Sequence, residues 1–203
     1  MLIVLTGKYG AGKSTVCRAV IAEARARGLA VAGVTTERVL DSEGRTTTRQ
    51  VLDLSTGARA PLNQYVGPGA GDESTPNWRF FPEGIELANA ALRSALAGPA
   101  YAGPAGTVGA GKGTDLLVVD EIGPLELMAG KGFREALPVL RDGRYGLALV
   151  VVRDWLVGYF ARLMERREPR VMEVSAGAAE AVAGEVCALL GEACRPPNSA
   201  TTA

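Results

Sequence analysis

GKYGAGKST, residues 7–15, is the stretch that decides the fold of this chain. It has the form G-x-x-x-x-G-K-S, which is typical of a loop whose backbone N–H groups surround phosphates. Such a loop needs a strand before it and a helix after it, because the free N–H groups and the dipole of the first helical turn attract the anion. The apolar run LIVL at residues 2–5 and the helical pattern over residues 14–27 supply that order. The stretch therefore predicts a phosphate-binding site.

The residue types in this loop each have a chemical reason. Gly7, Gly10 and Gly12 let the backbone turn tightly without a Cβ in the way. The ammonium of Lys13 is expected to reach the β- and γ-phosphates, and the hydroxyl of Ser14 is expected to bind Mg²⁺. The loop thus predicts a bound nucleotide with Mg²⁺ as the cofactor.

A second stretch, GTVGAGKGT at residues 106–114, repeats the pattern G-x-x-x-x-G-K. It follows a loop, it precedes a strand, and Gly113 stands where the magnesium-binding hydroxyl is needed. The surrounding residues 98–114 are rich in glycine, alanine and proline, which is typical of a flexible connector. Only the first loop is therefore predicted to bind nucleotide, with Lys13 essential and Lys112 dispensable.

The run DLLVVDEIGPLEL, residues 115–127, supplies the acidic groups. Asp120 ends a buried strand, at the edge of the sheet where α/β proteins bind ligands, and is expected to hold Mg²⁺ through a water. Glu121 can accept a proton from water beside the γ-phosphate, which favours hydrolysis. The alternative for Glu121 is a solvated residue or a partner for an arginine. Glu126 has two open interpretations, support of the site from behind or a surface salt bridge.

Composition excludes several other kinds of catalysis. The 203 residues contain no histidine, which excludes Ser-His-Asp and Cys-His mechanisms and histidine-bound zinc. Cys17, Cys187 and Cys194 have no C-x-x-C spacing, so neither a disulfide framework nor a metal cage is predicted. Basic and acidic residues number 22 each, so no nucleic-acid partner is expected.

Neither a signal peptide nor a membrane span is predicted. The apolar run at the start is short, and the run over residues 147–152 is far below the roughly 20 residues that a span requires. We expect a cytoplasmic protein with nucleoside triphosphates as partners and no membrane contact. One domain is predicted over residues 1–194, followed by a disordered tail over residues 195–203.

Strands alternating with helices predict an α/β fold with a mostly parallel central sheet flanked by helices. Residues 30–54 have the pattern of two strands around a turn, which predicts an antiparallel hairpin at one edge of the sheet. Residues 61–77 are predicted to be loop. The other predicted strands are 2–5, 78–81, 115–120, 145–152 and 171–174, and the predicted helices are 14–27, 83–96, 133–140, 155–167 and 178–190.

Three motifs together resemble one family. GKYGAGKST, VTTERV followed by the hairpin, and VVDEIGPLEL are similar to motifs of the thermophilic-type (THEP-type) nucleoside-triphosphatase family of P-loop proteins. The resemblance implies Mg²⁺-dependent release of phosphate from ATP, GTP and other nucleoside triphosphates. It implies a RecA-like sheet with an additional strand between the two strands that carry the nucleotide motifs. It also implies nucleotide contacts from Gly7, Lys8, Tyr9, Gly10, Ala11, Gly12, Lys13, Ser14, Thr15, Leu116, Leu117, Val118, Val119, Asp120, Glu121, Ile122 and Gly123.

A RecA-like sheet also implies a place for a catalytic arginine. The strand over residues 145–152 would lie between the two motif-bearing strands, so Arg153 at its carboxyl end would face the γ-phosphate. Arg153 is expected to stabilise the charge that develops there. The alternative is a pairing with Asp154 or Glu121 that only holds the shape of the site.

Base selectivity is expected to be loose, because the chain has no N-K-x-D run to read guanine. Two other functions remain open. A nucleotide-dependent switch would use residues 30–54 and 98–114 as contact surfaces for a protein partner that the sequence does not name. A small-molecule or nucleotide kinase would use an arginine cluster to clamp a phosphorylated acceptor: Arg162, Arg166, Arg167 and Arg170.

Overall fold

One eight-stranded sheet organises the computed structural model of the chain, which describes residues 1–72, 75–97 and 113–194. The strand order across the sheet is β5-β4-β3-β2-β6-β7-β1-β8. The strands are β1 (Leu2–Thr6), β2 (Val31–Leu40), β3 (Thr46–Asp53), β4 (Arg59–Tyr65), β5 (Trp78–Phe80), β6 (Thr114–Ile122), β7 (Tyr145–Val152) and β8 (Arg170–Glu173).

The sheet has a parallel part and an antiparallel edge, as the sequence predicts. Strands β2, β6, β7, β1 and β8 are parallel neighbours, whereas β2, β3, β4 and β5 pair antiparallel. Strand β7 lies between β1 and β6, which confirms the predicted position of the additional strand. The carboxyl ends of these three strands therefore meet at one edge of the sheet.

The antiparallel edge is larger than the predicted hairpin. The prediction of loop over residues 61–77 is wrong for residues 61–65, which belong to β4. This strand contains Pro61, and its polar residues Asn63 and Gln64 are adjacent, so it has no alternating apolar pattern of its own. Its backbone is instead held by hydrogen bonds to β3 and β5. The residues of β4 alone do not indicate this pairing.

Helices cover both faces of the sheet. They are α1 (Lys13–Ala26), α2 (Pro82–Ala97), α3 (Pro124–Leu127), α4 (Ala136–Asp142), α5 (Val157–Leu163) and α6 (Ala179–Ala193). Helices α1 and α6 pack on one face, and α2, α4 and α5 pack on the other. Successive residues of a strand alternate between faces, so Ile3 and Leu5 contact the first layer while Leu2 and Val4 contact the second. Burial on both faces explains the unbroken apolar runs in the central strands β1, β6 and β7.

Two helical predictions differ in detail. The helix predicted over residues 133–140 begins at Ala136, which places Pro138 in the first turn, where its missing N–H removes no helical hydrogen bond. The helix predicted over residues 155–167 is divided into a 3₁₀ turn (Asp154–Leu156), α5 and a second 3₁₀ turn (Glu165–Arg167).

Some predictions fall outside the described residues. These are the connector over residues 98–112 with its Lys112, and the tail over residues 195–203. Over the ranges that the structure does describe, no helix has the length and apolar character needed to cross a bilayer.

Candidate nucleotide site

The loop between β1 and α1 is shaped by glycine. Gly7 and Gly12 have φ angles of 130° and 104°, a region that residues with a Cβ rarely adopt. A Cβ on Gly7 would lie 2.3 Å from the carbonyl oxygen of Val174, and one on Gly12 would lie 2.9 Å from the Cβ of Ala179. The loop is therefore packed against Val174, directly after β8, and against the first residue of α6, and its path requires glycine at both positions.

Helix α1 begins at Lys13, directly after the loop, as the motif predicts. Its N-cap residue is Gly12, which offers no side chain to the first helical turn. The first bond of the turn is donated by the N–H of Val16 to the oxygen of Gly12, at 3.0 Å. The N–H groups of residues 13–15 precede it and have no acceptor within the helix, so they are available to an anion.

The ammonium of Lys13 folds back over the loop. Its Nζ donates to the carbonyl oxygens of Gly7 at 2.6 Å and of Lys8 at 2.9 Å. The positive charge is therefore held beside the backbone N–H groups that open α1. This is the position from which a lysine can contact the phosphates of a nucleotide in the loop.

Asp120 lies near the end of β6 and is 3% exposed. Burial raises the pKa of its carboxyl to about 6, and the neighbouring Ser14 hydroxyl acts in the opposite direction. Among the described residues, Oδ2 of Asp120 has no hydrogen-bond partner. A buried carboxylate oxygen without a partner, beside a hydroxyl, is an oxygen donor set that suits Mg²⁺. The residues present therefore fit the predicted cofactor.

Glu121 and Arg153 form an ion pair in the same cleft. Arg153 follows β7, and its Nη2 and Nε donate to Oε1 of Glu121 at 3.0 and 3.2 Å. Both side chains keep solvent exposure, 49% for Arg153 and 30% for Glu121. Of the two pairings considered from the sequence, the structure shows the one with Glu121 rather than with Asp154.

Glu126 lies behind this pair and forms no salt bridge with any residue that the structure describes. Its Oε2 accepts the N–H of Gly123 at 2.8 Å, and its Oε1 accepts the N–H of Phe133 at 3.0 Å. Burial raises the pKa of Glu126, and the two N–H donors oppose that rise. Glu126 therefore holds the turn that follows Glu121, which is the supporting role of the two predicted alternatives.

The cleft has a volume of about 950 Å³ and is lined by more residues than the two motifs supply. Its lining includes the predicted Tyr9, Thr15, Asp120, Glu121 and Arg153. The sequence patterns did not indicate the lining residues that come from the second turn of α1, from the antiparallel edge and from the 3₁₀ turn after β7. These are Arg18, Thr36, Glu37, Arg38, Arg49, Trp78 and Trp155. Asp154, considered only as a partner of Arg153, lines the cleft as well.

Several predicted contact residues do not line the cleft. Five apolar residues of β6 are buried in the sheet at 0–1% exposure, so their side chains belong to the core: Leu116, Leu117, Val118, Val119 and Ile122. Ala11 packs against the α1 and α6 layer. Gly123 lines a separate pocket beside the cleft. The second predicted segment thus contributes Asp120 and Glu121, while the rest of it positions them.

The arginine cluster predicted for a phosphorylated acceptor does not converge on the cleft. Arg167 donates to the carbonyl oxygens of Arg141 and Gly143, and its guanidinium lies 5.0 Å from the ring centroid of Tyr145, at the start of β7. That is the opposite end of the sheet from the cleft. Arg170 pairs with Glu185.

In this site a strand leads through a glycine loop into a helix, and the strand that carries the acidic residues lies one inserted parallel strand away. This arrangement defines a P-loop nucleotide-binding α/β protein. Comparison with known proteins identifies the family. A family model described as NTPase matches residues 2–77. The nucleoside-triphosphatase THEP1 of Ignicoccus hospitalis is 31% identical over 172 residues, which cover 84% of this chain and 81% of that relative. The chain therefore belongs to the THEP1 nucleoside-triphosphatase family, which confirms the predicted family and the predicted class of enzyme.

Another relative is similar in sequence, and two solved structures are similar in fold. The nucleoside-triphosphatase THEP1 of Methanopyrus kandleri is 30% identical over 125 residues, which span 62% of this chain and 59% of that relative. A human cancer-related nucleoside triphosphatase has a TM-score of 0.69 at 22% identity, covering 96% of this chain and 98% of its own. THEP1 of Aquifex aeolicus has a TM-score of 0.62 at 18% identity, covering 94% and 99%. The two structures confirm the predicted fold.

Proposed function

We propose that this protein hydrolyses nucleoside triphosphates to the diphosphate and phosphate in an Mg²⁺-dependent reaction. The observation that carries the proposal is that two groups of residues line the same cleft. The glycine loop with Lys13 lies on one side, and Asp120 with the Glu121–Arg153 pair lies on the other. The first group can bind phosphates, and the second can bind a metal ion and a water.

Binding follows from the start of α1. The N–H groups of residues 13–15 and the ammonium of Lys13 would contact the β- and γ-phosphates, exchanging the present lysine contacts with loop carbonyls for charged oxygens. Ser14 and Asp120 would hold Mg²⁺, which supplies charge neutralisation to the phosphates when bound. Burial of Asp120 disfavours its ionised form in the absence of a cation. A divalent cation bound there would offset this cost by neutralising the buried carboxylate.

Glu121 is the group that suits the water. Its carboxylate would accept a proton while the water oxygen forms a bond to the γ-phosphorus, and the bond from that phosphorus to the bridging oxygen breaks to release the diphosphate. Arg153 contacts Glu121 in the present structure. As negative charge develops on the γ-phosphate, the exposed guanidinium would stabilise that charge directly.

Loose base selectivity is supported by the kind of surface that the cleft offers. Tyr9 is 77% exposed and Trp155 is 61% exposed, and both line the cleft. The guanidinium of Arg38 lies 5.1 Å from the ring centroid of Tyr9. Aromatic faces and a guanidinium plane stack on any base, because every base has a π-face.

Release of inorganic phosphate from ATP, GTP, CTP and UTP, each with and without Mg²⁺, tests the proposal. We expect release from all four nucleotides with Mg²⁺ and no added acceptor. The kcat/KM values should lie within about a hundredfold of each other, since larger ratios require hydrogen bonds specific to one base. No release without an added acceptor would favour the kinase alternative, and very slow release with retained diphosphate would favour the switch.

A further inference from the structure

Two arginines face each other on the antiparallel edge of the sheet. Arg38 on β2 and Arg49 on β3 are directly opposite in the strand register, so their side chains lie on the same face. Both line the nucleotide cleft. Like charges in directly opposite positions destabilise a sheet. An anion in the cleft would offset that cost, so this cross-strand pair points to a negatively charged ligand.

The carboxylates near the cross-strand pair are engaged with other residues. Glu37 pairs with Arg59 at 3.1 Å, and Glu121 pairs with Arg153 at 3.0 Å. Among the residues that the structure describes, neither arginine of the cross-strand pair is part of a salt bridge. The positive charge of the pair is therefore left for a ligand to neutralise.

An aromatic ring supports each guanidinium of the cross-strand pair. Arg38 lies 5.1 Å from the ring centroid of Tyr9, and Arg49 lies 5.0 Å from that of Trp78. Trp78 is itself in edge contact with the ring of Tyr65 at 5.4 Å. A guanidinium held over a ring face keeps its N–H donors for other partners. The contact with Trp78 thus orients Arg49 and leaves its donors for a ligand.

The two arginines lie at different parts of the cleft. A second pocket of about 290 Å³ adjoins the cleft, and Arg49, Glu121 and Arg153 line both spaces. Arg38 lines only the cleft and lies beside Tyr9 of the glycine loop. Of the cross-strand pair, Arg49 is therefore the member next to the groups to which hydrolysis is assigned.

Arg49 also lies near the proposed magnesium ligand. Burial raises the pKa of Asp120 to about 6, and the positive charges of Arg49 and Lys13 are among the influences that lower it. The interaction between two charges weakens with distance, so both cations are close to the Asp120 carboxyl. Lys13 comes from α1 and Arg49 from β3, so cations from two separate elements are directed to the same part of the cleft.

We propose that Arg49 is a substrate-binding residue that contacts the γ-phosphate, and that this contact discriminates nucleoside triphosphates from diphosphates. The fork of N–H donors on a guanidinium matches two oxygens of a terminal phosphate. A diphosphate ends one phosphate earlier and leaves Arg49 without that acceptor. The inference rests on the proposed function for the place of the γ-phosphate, and it adds a residue from outside both nucleotide motifs.

Calorimetric titration of the full chain in Mg²⁺ tests the proposal, with ADP and a non-hydrolysable ATP analogue as ligands. In Arg49→Met we expect the Kd of the ATP analogue to rise about 10–100-fold, because hydrogen bonds to a charged group are lost. The Kd of ADP should stay within a few-fold. The ratio of the two Kd values separates this role from a merely structural one, since a displaced β3 would weaken both ligands.

Arg79→Met is the matched control, because Arg79 lies on β5 of the same antiparallel edge, is exposed and lines neither space. It should leave both affinities unchanged. An unchanged ratio in Arg49→Met, or equal weakening of the two ligands, would overturn the proposal. If Arg49→Met does not fold, Arg49→Gln keeps a polar side chain in the strand and provides the same comparison.

The titrations involve no turnover, so their result is independent of the assay for hydrolysis. Absence of phosphate release by the unmodified chain would contradict the proposed hydrolysis and would leave the role of Arg49 to be decided by the Kd ratio. Absence of binding of both ligands to the unmodified chain would contradict the nucleotide site itself and this contact with it.

Discussion

Asp120 is the residue whose surroundings differ most from those of an ordinary aspartate. It is buried, its Oδ2 has no partner among the described residues, and burial raises its pKa from 3.8 to about 6. Because the pKa is higher in the folded state, the folded state holds the proton more tightly than the unfolded chain does. Ionisation of Asp120 therefore lowers stability as pH rises from about 4 to about 6, and the full cost remains above that range.

We predict that Asp120→Asn raises the Tm of the metal-free protein at pH 8 and abolishes Mg²⁺-dependent hydrolysis. The neutral amide removes the cost of a buried charge and also removes the proposed ligand for the cation. The gain in Tm should shrink at pH 4, where Asp120 of the unmodified chain is protonated. Thermal unfolding at both pH values without Mg²⁺ provides the measurement. A lower Tm for the variant at pH 8 would contradict this prediction.

Glu121 is predicted to act as the base. Glu121→Gln keeps an oxygen that can accept from Arg153 but cannot take a proton. We expect nucleotide affinity to persist and the single-turnover rate of phosphate release to fall by about 10²–10⁴-fold, which is typical of a lost general base. Unchanged turnover in this variant would mean that another group activates the water.

Arg153 is predicted to stabilise developing charge rather than to bind the ground state. Arg153→Ala should lower kcat by about 10³-fold or more while the Kd of Mg-nucleotide stays within a few-fold. Arg167→Ala is the matched control, because Arg167 contacts the opposite end of the sheet. Normal turnover of Arg153→Ala would assign the ion pair with Glu121 a purely structural role.

The placement of the candidate site residues on strands and helices was predictable from the sequence where those residues are close along the chain. Lys13 and Ser14 open a helix after a strand, and Asp120 and Glu121 lie near the end of a buried strand, as expected. Arg49 and Trp78 were not predicted, because they reach the cleft only through the pairing of β2, β3, β4 and β5. No local pattern marks a residue that becomes functional through a neighbouring strand.

At the scale of elements, the turn from β6 into α3 depends on one buried carboxylate. Glu126 accepts one N–H with each oxygen, from Gly123 and from Phe133. In Glu126→Gln one of these N–H groups faces an amide NH₂ and loses its acceptor. We expect the free energy of unfolding to fall by about 1–3 kcal/mol, measured by urea denaturation.

Glu86→Gln is the control for this measurement. Glu86 forms an exposed salt bridge with Arg93, and such surface pairs contribute about 0–1 kcal/mol. Equal destabilisation of the two variants would mean that the Glu126 contacts do not stabilise the turn. If Glu126→Gln also lowers kcat while Glu86→Gln does not, the turn positions Glu121 as well.

An element was predictable from the sequence where its own residues carry a clear apolar or periodic pattern. Strand β7 was predicted with its observed bounds, because a run buried on both faces has a strong apolar signal. Helix α3 was missed, since its four residues are too few to show a helical period. Strand β4 was missed because its polar residues acquire order only through β3 and β5.

At the scale of the whole molecule, the sheet order brings the two nucleotide motifs to a common edge although more than a hundred residues separate them along the chain. The motif resemblance implied that order, and the position of β7 confirms it. The resemblance said nothing about how the antiparallel edge would enclose the cleft. That enclosure is a long-range property of the fold, and it produces both the wide cleft and the second pocket.

Phosphate release by Lys13→Ala and Lys112→Ala, measured beside the unmodified chain with Mg-ATP and Mg-GTP, tests most directly the claim of one nucleotide site. Both lysines occur in a G-x-x-x-x-G-K pattern, so each variant is the matched control for the other. Lys13 opens α1 beside the cleft, whereas Lys112 lies outside the described residues. We predict that Lys13→Ala abolishes turnover and weakens nucleotide binding, while Lys112→Ala retains both. Equal loss of activity in the two variants would contradict the single site.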